Sequence, residues 1–96
     1  MPEKALLEPS FADALAAIAQ ATELTPSKRT HWACSLRQVA KWLDRPLVNL
    51  AARWGAVALK ANRLHHANLG VEWKTLANHR ANAKAALGWF VPRVSR

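Results

Sequence analysis

The chain has 96 residues, 51% of them apolar, and sets 14 Lys and Arg against 6 Asp and Glu for a formal charge of +8. That length supports one modest core, burying roughly 60% of the unfolded surface, so a second domain does not fit, and the apolar content excludes a disordered basic tail. The charge is uneven: residues 1–26 hold one base against four acids, whereas residues 27–96 hold thirteen bases against two, the pattern of a basic body that asks for a polyanionic partner.

The first predicted helix covers about 10–21. Ser10 followed by Asp13 resembles a capping box, and Phe11, Leu15 and Ile18 form one apolar face. Within this helix lies the longest apolar run, Ala14 to Ala19, far short of the roughly 20 residues a membrane span needs. The start, Met1-Pro2-Glu3-Lys4, lacks the cationic opening and apolar stretch of a secretory signal.

The second helix covers about 26–44. Thr25 suits the N-cap and Pro26 the first helical position, while Pro46 disfavours helix at the residue before it. Trp32, Leu36, Val39 and Leu43 make a narrow apolar stripe. The opposite face reads Thr30, Cys34, Arg37, Gln38, Lys41 and Arg45 and contains no acid.

Leu47 to Leu50 reads as an extended connection. A third helix is expected over about 51–67, where Trp54, Val57, Ala58, Ala61 and Leu64 recur at helical spacing, and Gly70 is its stop signal. The fourth helix covers about 73–90, with Leu76, Ala83, Leu87 and Phe90 buried and Lys74, Asn78, Ala81, Asn82 and Ala85 outward; Pro92 limits its extension. Four helices joined by short turns predict a small all-α four-helix bundle. Its expected core is Leu15, Ile18, Trp32, Leu36, Val39, Leu43, Trp54, Val57, Leu64, Leu76, Ala83, Leu87 and Phe90.

Two faces carry candidate chemistry. Arg37, Lys41 and Arg45 recur every four residues, so they project together and repel one another unless an anion neutralises them. Exposed helices ordinarily interleave Glu with Lys for i,i+4 support, yet no acid lies between Glu23 and Asp44. Such a row fits along a phosphate backbone. On the fourth helix Asn78 and Asn82 are one turn apart, with Lys74 a turn earlier. Asn is a weak helix former and pairs with adenine in the major groove, while Ala81 and Ala85 keep the surface low and Lys84 reaches sideways. A solvated surface is the plain alternative for both faces.

Other chemistry finds little footing. Cys34 is the single cysteine and has no internal disulfide partner, which favours a reducing cytoplasm. On a continuous helix His65 and His66 diverge by about 100°, which leaves a capping or phosphate role rather than a shared metal. Three glycines argue against a Gly-rich phosphate loop. No metal, cofactor or catalytic residue is expected. Trp89 is expected on the outer face of the fourth helix.

The segment Leu24-Thr25-Pro26-Ser27-Lys28-Arg29-Thr30-His31-Trp32, with Leu36, Val39 and Trp42-Leu43, resembles the opening of the core-binding domain of tyrosine recombinases, the phage-type integrases. The stretch from Gly70 through Trp73-Lys74-Thr75-Leu76 to Ala86-Leu87 looks like the last helix of that domain. The resemblance covers roughly residues 24–91. It implies a SAM-like helical fold, a lead-in over 1–23 with an acidic first helix, a DNA-binding domain over 24–91, and a tail over 92–96 leading to a separate catalytic domain. It also implies a bacterial cytoplasmic protein, on the nucleoid when bound, that clamps double-stranded DNA beside other integrase protomers. The DNA-contacting residues would be Lys28, Thr30, Arg37, Gln38, Lys41, Arg45, Lys74, Thr75, Asn78, Asn82 and Lys84. The family's chemistry uses a tyrosine nucleophile, and this chain contains no tyrosine, so DNA binding without cleavage is the expectation. A helical protein-interaction module and a small helix-turn-helix regulator are the alternatives, and a basic helix lying on a membrane surface is a further one.

Overall fold

The structure, a computed structural model, describes residues 8–94. Residues 1–7 of the expected lead-in and residues 95–96 of the expected tail lie outside the described residues. Five α-helices follow in chain order: α1 Phe11–Gln20, α2 Pro26–Trp42, α3 Trp54–Asn62, α4 His66–Leu69 and α5 Trp73–Val94, with a 3₁₀ turn over Leu47–Asn49 between α2 and α3. The all-α expectation holds among the described residues, but the expected four helices are five. The connection at Leu47, expected to be extended, is a tight helical turn.

The helix starts follow from local chemistry. Ser10 Oγ accepts from the Asp13 N–H at 3.4 Å while Asp13 Oδ2 accepts from the Ser10 N–H at 2.8 Å, a complete capping box. Thr25 Oγ1 accepts from the Lys28 N–H at 3.1 Å, and Pro26 occupies the first helical position, where its missing N–H loses nothing.

The end of α2 differs from expectation. The helix stops at Trp42, and Asp44 takes a left-handed backbone (φ 56). The Arg45 N–H then bonds back to the Ala40 carbonyl at 3.2 Å and the Asp44 N–H to the Lys41 carbonyl at 3.1 Å, a Schellman closure with aspartate where glycine is usual. Arg45 therefore leaves the helix, and its side chain no longer extends the row begun by Arg37 and Lys41.

The expected third helix is interrupted. Arg63 and Leu64 donate to the carbonyls of Lys60 and Ala61, three residues back, which tightens and ends α3. His65 is extended, and its Nδ1 accepts from the Ala67 N–H at 3.2 Å to cap α4. The two neighbouring imidazoles consequently stack, centroids 4.7 Å apart and planes 22° apart, instead of diverging. Gly70 closes α4 in the left-handed region at φ 69, a conformation that disfavours a side chain. The expected stop at Pro92 does not occur: α5 runs on to Val94 with Pro92 inside its last turn. There the proline forfeits its own bond to the Gly88 carbonyl and crowds it, with only two described helical residues following.

The helices form a slab 40 × 39 × 19 Å, about two helix diameters thick. Long helices α2 and α5 make the largest packing contact, and α1 lies on both. Phe11, Ala14 and Ile18 of α1 pack into the same core as Leu36, Val39, Val57, Leu87 and Phe90. The expected core residues Leu76 and Ala83 are buried too, whereas Leu15, Trp32, Leu43, Trp54 and Leu64 are half-buried. Phe11, 0% exposed, is absent from the expected core. Its burial follows from a main-chain clasp: the Phe11 N–H bonds to the Leu50 carbonyl at 2.8 Å and the Ala52 N–H to the Pro9 carbonyl at 2.9 Å, with Ser10 and Ala51 bridged antiparallel.

Candidate functional site

Along one edge of α2, aromatic and polar side chains join it to α5. Ser35 Oγ and His79 Nδ1 are 2.9 Å apart, and the His79 ring meets the Trp42 indole edge-on at 5.4 Å. Burial between the helices holds the His79 imidazole below its ordinary pKa, because the charged ring would lose hydration there. Nearer the start of α2, Lys28 Nζ sits 5.5 Å from the Trp32 ring centre, Trp32 packs on Trp89 at 6.0 Å, and the Arg93 guanidinium lies 4.1 Å over Trp89. This is a cation–aromatic ladder running across the seam. Trp89, expected to face outward, is half-buried within it.

Arg93 also pairs with Glu23. Glu23 is held below the usual carboxylate range foremost by Arg93, then by its own backbone N–H, with the Trp89 indole contributing weakly. The indole N–H is itself buried and outside hydrogen-bond geometry with any described partner. Beside the ladder, Thr25, Ser27, Lys28, His31, Trp32 and Asn82 line a cavity of about 230 Å³. Here the structure brings together two of the expected DNA-contacting residues from different helices, Lys28 and Asn82.

The other expected residues disperse. Asn78, Lys74, Thr75 and Lys84 are exposed along α5, with Lys74 Nζ 5.8 Å over the exposed Trp73 ring. Gln38 is half-buried and Lys41 exposed on α2. Thr30 and Arg37 lie on the opposite edge of α2, in a cleft of about 420 Å³ shared with α1. The Thr30 hydroxyl donates to the Pro26 carbonyl at 3.0 Å within its own helix. Arg45, carried off by the turn at Asp44, lines a third cavity of about 190 Å³ with Asn49 and Lys60. The row Arg37, Lys41, Arg45 is thus exposed but does not share one neighbourhood.

Two ion pairs are formed among the described residues, Arg53 with Glu8 at 2.7 Å and Arg93 with Glu23. Arg53 draws the Glu8 carboxyl below its ordinary value. Both pairs are solvent-exposed and contribute little to stability. None of the basic side chains expected to contact DNA is paired with a described carboxylate. No group of three or more metal-ligating side chains occurs among the described residues, and no described helix is long and apolar enough to cross a membrane.

Sequence reasoning missed His31, Ser35 and His79 as participants in the seam. Ser35 carried a weak signal: it lies about 100° around the helix from Leu36, next to Trp42 on the helical wheel. Reading it required knowing which edge of α2 meets α5. No family model matches the chain, and no curated protein or solved structure matches it at a significant level.

Proposed function

We propose that the chain is a duplex DNA-binding module, the core-binding part of a site-specific tyrosine recombinase, with α2 and α5 as the DNA-facing pair. The single observation that carries this reading is the meeting of Lys28 and His31 from α2 with Asn82 from α5 around one cavity. It joins cationic and amide-bearing side chains from the two longest helices, on a chain of net charge +8. A cation there neutralises a phosphate, while the neighbouring asparagines, Asn78 exposed and Asn82 half-buried, offer the donor–acceptor pair that reads adenine. In this reading the longer helices supply a SAM-like bundle, α4 is a capped turn between α3 and α5, and other recombinase protomers complete the clamp. The module contacts DNA and leaves strand cleavage to a separate, tyrosine-bearing catalytic domain, since this sequence holds no tyrosine.

Titrating a fluorescent duplex with the full chain at several salt concentrations tests the reading. Affinity falls linearly in log–log form, and Lys28→Ala reduces the slope by about 0.9, the share of one phosphate contact. Asn82→Ala weakens discrimination between duplexes more than it changes the slope. A salt-independent signal, or a slope unchanged in Lys28→Ala, rejects the assignment.

A further inference from the structure

The cleft on the other edge of α2 holds Thr30 and Arg37 of the expected DNA contacts but lies apart from the Lys28–Asn82 cavity that carries the DNA reading. Leu15, Ile18 and Ala19 of α1 face Ala33 of α2 across its floor, and Arg29 and Arg37 flank it. Arg29, Ala33 and Arg37 follow one another at four-residue steps, so the two guanidinium stems stand about 12 Å apart along the helix axis. Neither arginine has an ion-pair partner among the described residues, and α2 itself contains no acid. Of the acids that precede α2, Asp13 is committed to the Ser10 cap and Glu23 to Arg93, and Asp44 follows the helix in the left-handed turn. Small side chains at positions 19 and 33 keep the cleft shallow, so that a third helix backbone can approach the pair closely.

We infer that this cleft docks an acidic amphipathic helix of a partner protein, its apolar face on Leu15, Ala19 and Ala33 and its carboxylates on Arg29 and Arg37. Carboxylates seven or eight residues apart on such a helix stand about 10–12 Å apart and match the two guanidinia. Arginine holds them bidentately, and apolar anchors at i, i+3, i+4 and i+7 fill the floor, the helix-in-groove mode. Charge complementarity favours this occupant: the apolar floor between the arginines suits a helix with an apolar face better than a phosphate backbone, while two unpaired guanidinia repel a basic helix. The inference goes beyond the DNA reading and does not depend on it, because it uses the opposite edge of α2.

The test uses the full chain and an acetylated peptide of about sixteen residues built from Leu, Ala and Glu, with Glu seven residues apart beside a Leu stripe. Fluorescence anisotropy is expected to show micromolar binding, and backbone chemical shifts to move at Ala19 and Ala33. The double variant Arg29→Glu/Arg37→Glu weakens binding at least tenfold. Ala19→Glu, on an exposed position that the fold tolerates, does the same by placing a like charge in the cleft. Arg63→Glu, an exposed change outside the cleft, stays within about twofold of the parent after general screening is allowed for. The inference is overturned if no binding occurs, if a peptide with Lys in place of Glu binds equally well, or if Arg63→Glu weakens binding as much as the cleft variants. It is also overturned if duplex DNA, and not the peptide, moves the shifts of Ala19 and Ala33. Failure here leaves the salt dependence of DNA binding untouched, so the two readings fail separately.

Discussion

Where α2 meets α5, the contact is a seam of indoles, an imidazole, a serine and cations interleaved with aromatic rings. Where the same helix meets α1, it leaves a cleft floored by alanine, leucine and isoleucine and flanked by arginine. Both edges are basic, yet only one mixes charge with amides. The difference shows that a four-residue cationic row is not automatically one functional face. A helix packed on two neighbours divides its exposed arc between them, and rotation by about 100° per residue decides which side each arginine serves.

The comparison breaks most severely if α1 is removed from the core. Phe11→Ala leaves a cavity in a fully buried site and is expected to destabilise the chain by about 4 kcal/mol, measured by denaturant unfolding. If α1 were a detachable lead-in, the seam signals of Trp32 and Trp89 would survive at denaturant concentrations where α1 has melted. A single transition for both edges is expected instead.

A smaller effect separates the edges by pH. The unfolded chain protonates its histidine near pH 6.5, whereas the half-buried His79 ring in the fold resists it. The contribution of His79 is therefore complete above about pH 6.5 and is lost as the pH falls toward the ring's lowered native value, since the unfolded state then binds more protons. The carboxylates of Glu8 and Glu23, lowered by their arginines, act in the same direction only further down, from the ordinary carboxylate range toward their lowered values. Thermal melts of parent and His79→Gln across this interval are expected to differ in slope, the variant being flatter. Equal slopes would remove His79 from the seam's stability. Ser35→Ala, which strips the hydroxyl facing Nδ1, is expected to cost about 1 kcal/mol.

The smallest effect concerns the turn that divides the basic row. Asp44 holds a left-handed backbone that glycine adopts without strain. Asp44→Gly is expected to stabilise the chain by about 0.5 kcal/mol in the same unfolding measurement, since relief of strain slightly exceeds the added flexibility of the unfolded chain. A loss of stability would mean that the aspartate side chain supports the turn.

Local signals in the sequence were reliable where the controlling interaction is local. Ser10 with Asp13 and Thr25 with Pro26 each cap the expected helix within three or four residues, and Gly70 closes a helix too, though α4 and not the expected third. Signals failed where a local rule was weaker than it looked. Helical spacing runs unbroken from Trp54 to Leu64, with no proline or glycine to mark the break after Asn62. Pro92 reads as a terminator, yet it sits in the last turn, where little helix follows for it to break. Asp44 tolerates a left-handed turn but signals it more weakly than glycine. For the candidate site, the exposure of Lys28, Arg37, Lys41, Asn78 and Lys84 was legible, because each lies off the apolar stripe. Their grouping was not, because it depends on which edge of α2 each neighbouring helix covers.

The clasp between residues 9–11 and 50–52 has a kinetic consequence. It fastens the entry to α1 onto the segment that leaves the turn after α2, so the two helices and their connection form a closed ring held by two main-chain hydrogen bonds. Helix α1 has no free end on that side from which to fray. Lifting it from α2 requires unfastening Phe11 from Leu50 and Ala52 from Pro9 in the same event. The amide protons of Phe11 and Ala52 therefore report, by their rate of exchange with solvent, how often the far wall of the cleft opens.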